Sequence, residues 1–80
     1  MRLSYRLSAD AGVRVSIYTL LGDLVRVLSL DSGQAGGARG LNEVPWDGRN
    51  DKGDMVRPGV YVAVIEGGGV SERIKVGVLR

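Results

Sequence analysis

Eighty residues without cysteine or histidine make at most one small domain, with no disulfide framework and without the commonest metal ligand and general base. The apolar fraction of 44% is enough for a hydrophobic core and argues against intrinsic disorder. The 11 basic and 9 acidic residues are spread without a run of like charge, so no nucleic-acid partner is expected. No membrane insertion is expected either, because the longest apolar run, residues 60–65, is far shorter than the roughly 20 residues of a membrane span.

The first third of the chain alternates with the period of two that is typical of half-buried strands. Residues 2–8 place Leu, Tyr and Leu on one face, and residues 13–20 do the same with Val, Val and Ile. Gly22 lies in a tight connection to a third strand, residues 24–30. That strand alternates less cleanly, so its inward face stays undefined.

The rest of the chain continues the pattern. A glycine-rich loop over residues 31–40 leads to a strand that ends near Pro45, which indicates a strand end or sheet edge. Beyond the turn-rich residues 47–54, a short pairing segment is expected at residues 55–56. Two further strands, residues 60–66 and 70–79, form a hairpin. Six or seven short strands without a helix predict an all-β sandwich or small barrel.

Alternation within separate strands also predicts which side chains form the core. In the last strand, Ile74, Val76 and Val78 share one face with Val70 and Glu72, while Arg73 and Lys75 point the other way. The expected core comprises Leu3, Tyr5, Val15, Ile17, Trp46, Val60 or Tyr61, Val62, Val64, Ile74 and Val76.

The acidic segment from Asp47 to Asp54 raises a calcium hypothesis, since it offers several hard oxygen ligands. An EF-hand loop that began at Asp47 would need a ligand at its third position and glycine at its sixth. This chain has Arg49 and Lys52 there. We therefore predict a turn, held by Asn and Asp side chains bonded to nearby backbone, with Gly53 left-handed.

Other catalytic patterns are weak. The three glycines at 67–69 precede a strand instead of the helix that a phosphate cradle needs, and therefore indicate a hairpin turn. Asp47 with Asp51, or Glu43 with Glu66, are the candidate carboxylate pairs, but acidic neighbours are common on surfaces. We expect that the chain is not an enzyme and that it binds no metal and no cofactor.

The aromatic residues allow two interpretations. Trp46 and the three tyrosines, Tyr5, Tyr18 and Tyr61, have the composition of a sugar-binding platform. Such residues more often fill a core and leave one polar atom at its edge. We favour the core for Trp46 and Tyr61.

Three segments together resemble the Ig-like domain of the flagellar hook-capping protein FlgD. They are residues 15–28, a strand, glycine turn and strand; residues 42–54, with Trp46-Asp-Gly48; and residues 58–61, Pro-Gly-Val-Tyr. The resemblance implies an immunoglobulin-like antiparallel β-sandwich that is not itself an enzyme. It implies a structural signature of Trp46, Asp47, Gly48, Gly53, Gly59 and Tyr61.

Each signature residue can have a structural role. Trp46 can fill the space between the sheets and Tyr61 can close the rim of the core. Asp47 can accept hydrogen bonds from the following turn, in which Gly48 and Gly53 permit the reversal. Gly59 can allow close passage of the backbone.

The same domain type is similar to the C-terminal sorting domains of type IX secretion substrates, which often end in a basic and apolar strand like residues 73–80. The resemblance implies the C-terminal part of a larger secreted or cell-surface bacterial protein, used for export, surface attachment or assembly. Its candidate sorting or interaction strand carries Arg73 and Lys75. Protein partners are expected, either secretion or attachment machinery or neighbouring domains. The alternatives are a self-associating structural subunit and a carbohydrate- or peptide-binding module.

Overall fold

The computed structural model describes residues 1–79, which form six antiparallel strands and no helix, hence no helix that could cross a membrane. The strands are β1 (Arg2–Leu7), β2 (Val13–Thr19), β3 (Leu24–Leu30), β4 (Gly40–Pro45), β5 (Gly59–Gly67) and β6 (Val70–Val78). The predicted all-β architecture is confirmed. The expected pairing segment at residues 55–56 is reduced to an isolated bridge between Met55 and Arg49. Arg80, the last residue of the basic and apolar ending, lies outside the described residues.

The strands form two sheets, one with the order β3-β2-β5-β6 and the other containing β1 and β4. Short turns connect β2 to β3 and β5 to β6, whereas β1 and β4 pair across a long stretch of chain, with Leu3 opposite Val44. Pro45 ends β4 in the two-stranded sheet, as its missing N–H predicts.

The core lies between the sheets and follows the alternation of β1 and β2. Seven of the residues predicted for the core are buried: Leu3, Tyr5, Val15, Ile17, Trp46, Tyr61 and Val76. The core also contains seven buried residues that were not predicted for it: Leu7, Val13, Val44, Val56, Ala63, Ile65 and Val78. Ile74, also predicted, is only partly buried and packs against this cluster.

The inward face predicted for β5 is wrong. Val62 and Val64 are half-buried on the outer face, and Val60 is 48% exposed. Tyr61, Ala63 and Ile65 point inward instead. The reason is register: Ala63 lies opposite Ile17 and Ile65 opposite Val15, and directly opposed residues share a face. An uninterrupted apolar run contains no alternation from which that choice could be made.

Strand β3 alternates poorly because its register changes against β2. Leu28 and Leu30 lie opposite the buried Val15 and Val13, but the pairing shifts between Ile17 and Tyr18. A bulge of this kind reverses which side chains face the core. Arg26 lies opposite Ile17 and therefore on the inward side, at the rim of the sandwich.

Two buried polar side chains hold the long loop between β3 and β4. The Tyr5 hydroxyl donates to the Gly36 carbonyl at 2.6 Å. Asn42 Nδ2 donates to the carbonyls of Ala38 at 2.7 Å and Gly40 at 3.1 Å, and its Oδ1 accepts from Ala38 N at 3.2 Å. These bonds compensate for the desolvation of buried polar groups and fix the loop against the two-stranded sheet.

Candidate functional site

Trp46, which directly follows β4, packs edge-to-face against Tyr61 of β5, with 5.7 Å between ring centroids and an interplanar angle of 76°. Both rings are buried, with 2% and 8% exposure. Each places its polar atom on turn backbone: Trp46 Nε1 donates to the Arg49 carbonyl at 3.0 Å, and the Tyr61 hydroxyl donates to the Arg57 carbonyl at 2.6 Å. The predicted core placement is confirmed, so this pair does not form a sugar-binding platform.

The predicted turn after Trp46 is built by short polar side chains. Asp47 Oδ1 accepts from Arg49 N at 3.0 Å, and Asn50 Oδ1 accepts from the N–H groups of Lys52 and Asp54 at 2.9 and 3.0 Å. Gly53 has a φ of 86°, the left-handed conformation that was predicted for it. Asp47 Oδ1 and Asn50 Oδ1 are thus engaged by the turn, and residues 1–79 contain no cluster of three potential His, Cys, Asp or Glu ligands.

The same turn lies along the outer edge of β3. Asp51 N donates to the Val25 carbonyl at 3.1 Å, and Val27 N donates to Asp51 Oδ1 at 3.3 Å. Arg26 joins the two acids of the turn, with Nη1 3.3 Å from Asp47 Oδ1 and Nε 3.7 Å from Asp51 Oδ1. The turn therefore satisfies edge groups of β3 that another strand could otherwise bind.

The sequence pattern does not indicate the role of Arg26. Its side chain also donates to the Arg49 carbonyl at 3.1 Å, which links β3 to the turn through three acceptors. The available signal was a lone arginine at an inward-facing position, followed by an acidic turn about twenty residues later. Without the register of β3, the sequence does not distinguish Arg26 from an arginine on the solvent-exposed face of the strand.

The two candidate carboxylate pairs have different arrangements. Asp47 and Asp51 both approach Arg26, whose single positive charge offsets one of their two negative charges. Glu43 instead pairs with Arg2 at 3.3 Å in the two-stranded sheet, while Glu66 lies opposite Arg14 in the other sheet. Neither arrangement isolates a carboxylate in an apolar site, where desolvation would favour the protonated form that general acid catalysis uses.

The role expected of Gly59 is wrong. A Cβ atom built at that position would meet no atom within 4 Å, so close passage of the backbone does not require glycine there. Close approach occurs at Gly37 instead, where a Cβ would lie 2.2 Å from the Asp31 carbonyl oxygen. The positive φ of Gly59, 153°, is the feature that favours glycine at the start of β5.

The last strand has the two faces predicted for it. Val76 and Val78 are buried, whereas Arg73 and Lys75 are exposed on the opposite face. The register with β5 places Arg73 opposite Val64 and Lys75 opposite Val62. Arg73 and Lys75 thus lie beside half-buried valines on the outer face of the four-stranded sheet.

Two antiparallel sheets around a buried tryptophan define an immunoglobulin-like β-sandwich. The family model described as the FlgD Ig-like domain matches residues 1–69, and the chain belongs to that family. Domains of this family are accessory domains and are typically non-catalytic. A comparison with curated proteins gives no match. The family match ends immediately before β6, so the chemistry of the last strand must be judged from its own residues.

Proposed function

We propose that this domain is a non-catalytic accessory module of a secreted or cell-surface bacterial protein, in which it forms the C-terminal part and serves export, surface attachment or assembly. One observation carries the proposal: among residues 1–79, β6 pairs with β5 on one side only, and Arg73 and Lys75 on it are exposed. Membership of the FlgD Ig-like family supports the accessory role. The similarity of the basic and apolar ending to type IX sorting strands supports export.

A single strand can serve both folding and contact because its two faces are chemically different. Val76 and Val78 complete the core, with 6% and 2% exposure. Arg73 and Lys75 contribute little to that core, since exposed charges are worth at most about 1 kcal/mol even when paired. Their positive charges are therefore available to a protein partner, which we propose to be secretion or attachment machinery or a neighbouring domain.

The test is the double substitution Arg73→Ala with Lys75→Ala in the protein as its host produces it. We expect a thermal unfolding midpoint close to that of the unsubstituted protein, together with reduced export or assembly. The matched control is Arg6→Ala with Arg57→Ala, which removes the same charge from two exposed positions outside β6. If the first variant is exported and assembled as well as the control, the interaction surface lies elsewhere.

A further inference from the structure

The two edge strands of the four-stranded sheet, β3 and β6, differ in how their backbone is covered. Asp51 of the turn occupies the outer edge of β3 through backbone and side-chain hydrogen bonds. Within residues 1–79, β6 forms a backbone ladder with β5 alone, although β1 comes close to it from the other sheet. A nine-residue edge whose outer side is unpaired offers N–H and C=O groups to an added strand.

The side chains on β6 determine which strand fits. Glu72 lies opposite the buried Ile65 and therefore shares the inward face with Ile74, but Glu72 is exposed and Ile74 only partly buried. Arg73 and Lys75 occupy the outer face. The edge thus presents two positive charges on one face, and on the other a negative charge beside an incompletely covered isoleucine.

A second copy of this chain is a poor occupant of that edge. When two identical strands pair antiparallel in one continuous sheet, outward residues of one strand oppose outward residues of the other. Arg73 or Lys75 of one copy would then lie opposite Arg73 or Lys75 of the other copy, or opposite neutral residues such as Ser71 and Gly77. Like charges that lie directly opposite each other are destabilising. No register places Glu72 opposite either of them, because Glu72 lies on the other face.

We infer that β6 binds an extended acidic segment of a partner protein, which adds to the sheet as a fifth strand. This inference rests on the proposed function of β6 as a contact surface and specifies its ligand. The segment places carboxylates opposite Arg73 and Lys75 on the outer face, an apolar side chain opposite Ile74, and a basic one opposite Glu72. Opposite charges on directly facing residues and backbone hydrogen bonds together supply affinity and register.

The probe is a labelled peptide, Thr-Val-Glu-Val-Glu-Lys-Thr, which meets these requirements when it runs antiparallel to residues 71–77. Its control is the charge-reversed peptide Thr-Val-Lys-Val-Lys-Glu-Thr. Fluorescence anisotropy with the full 80-residue chain should show binding of the first peptide at least about tenfold tighter than that of the second. The variant Arg73→Glu with Lys75→Glu should reverse the preference, provided that circular dichroism shows it folded. The comparison of the two peptides on the unsubstituted chain is decisive even without that variant.

Strand addition is separated from simple charge attraction by N-methylation of alternate peptide amides. Amides that face β6 alternate with amides that face away, so one methylated series should lose binding and the other should keep it. Equal binding of the two charge patterns, no binding of either, or indifference to both methylation series overturns the inference. If the peptide does not bind but Arg73→Ala with Lys75→Ala still reduces export or assembly, the proposed function stands and only its ligand is wrong.

Discussion

The carboxylate of Asp51 accepts a hydrogen bond from the backbone N–H of Val27 at 3.3 Å, so that a turn residue acts on β3 as a neighbouring strand would. The backbone N–H of Asp51 completes the arrangement by donating to the Val25 carbonyl at 3.1 Å. Uncovered edges are templates for association, and charged or covering residues are the usual protection. The turn that carries the family signature therefore covers one edge of the four-stranded sheet, whereas the edge formed by β6 has no covering strand in the described part of the chain.

The first prediction concerns this edge cover. Asp51→Ala should raise the tendency of the chain to self-associate, because it uncovers the Val27 N–H and removes one partner of Arg26. The free energy of unfolding should fall by only about 1 kcal/mol, since the Asp51 side chain itself is 53% exposed. Sedimentation velocity over a range of protein concentrations measures the association.

The control for this prediction is Asp54→Ala, which removes the same charge three residues along the chain. Asp54 contributes its backbone N–H and carbonyl to the turn, both of which alanine retains. Equal association of the two variants would attribute the effect to net charge and would contradict the edge-cover interpretation.

The second prediction is that Trp46→Ala lowers the free energy of unfolding by about 3–5 kcal/mol, a large part of the stability of a small domain. The substitution empties a site that is 2% exposed, and it removes both the edge-to-face contact with Tyr61 and the hydrogen bond to Arg49. Urea titration followed by far-ultraviolet circular dichroism measures the loss. Trp46→Phe keeps an aromatic ring and should lose distinctly less. A loss below about 1 kcal/mol for the alanine variant would contradict core burial.

The inward face of a strand could be predicted where apolar and polar residues alternate strictly. Prediction failed where the local sequence does not show which residues face inward. Strands β1 and β2 alternate apolar and polar residues, and their inward faces were found correctly. The run from Val60 to Ile65 is apolar throughout, so only its register against β2 reveals that Ala63 is buried and Val64 is not. In β3, the register shift disrupts the pattern that would have placed Arg26.

The candidate site shows the same division. The turn after Trp46 and the two faces of β6 follow from residue types at fixed local spacing, so the sequence indicates them. The contact of Arg26 with Asp47, and that of Tyr5 with Gly36, join residues 21 and 31 positions apart. Such contacts depend on which sheet each strand enters, and the alternation of one segment does not contain that information.

The third prediction uses the buried hydroxyl of Tyr5. Desolvation by burial raises the pKa of Tyr5 above its ordinary value of 10.0, so the folded chain holds this proton more tightly than the unfolded chain does. The resulting stabilisation is fully present below pH 10.0 and is lost as pH rises through the pKa of the folded state. Tyr5→Phe should therefore reduce the alkaline loss of stability.

The same substitution has a cost at neutral pH. It leaves the Gly36 carbonyl without the Tyr5 donor and should lower the free energy of unfolding by about 1–3 kcal/mol. Urea titrations of both chains at neutral pH and at several values above pH 10.0 measure both effects. An unchanged alkaline slope in the variant would show that other groups cause the loss.

The fourth prediction is that calcium does not bind to the turn after Trp46. Asp47 and Asp51 each use an oxygen on Arg26, and Asn50 Oδ1 already accepts two backbone hydrogen bonds. Isothermal titration with calcium should give no saturable heat. A micromolar site that is lost in Asp47→Ala or Asp51→Ala would contradict the turn interpretation and revive the metal hypothesis.

The last prediction is that removal of residues 70–80 unfolds the domain. Without β6, the inward-facing Val76 and Val78 are lost from the core, and β5 becomes an unpaired edge beside a partly exposed apolar interior. Both losses act on the same sheet, so they should produce a cooperative failure to fold and not a local opening. Circular dichroism of the truncated chain should lack the β-sheet signal and any thermal transition. Val78→Ala provides a graded comparison, and should keep a cooperative transition with a loss of about 2 kcal/mol. A truncated chain that still melts cooperatively would show that β6 is an addition to a complete sandwich, and that its apolar face contributes less than its burial indicates.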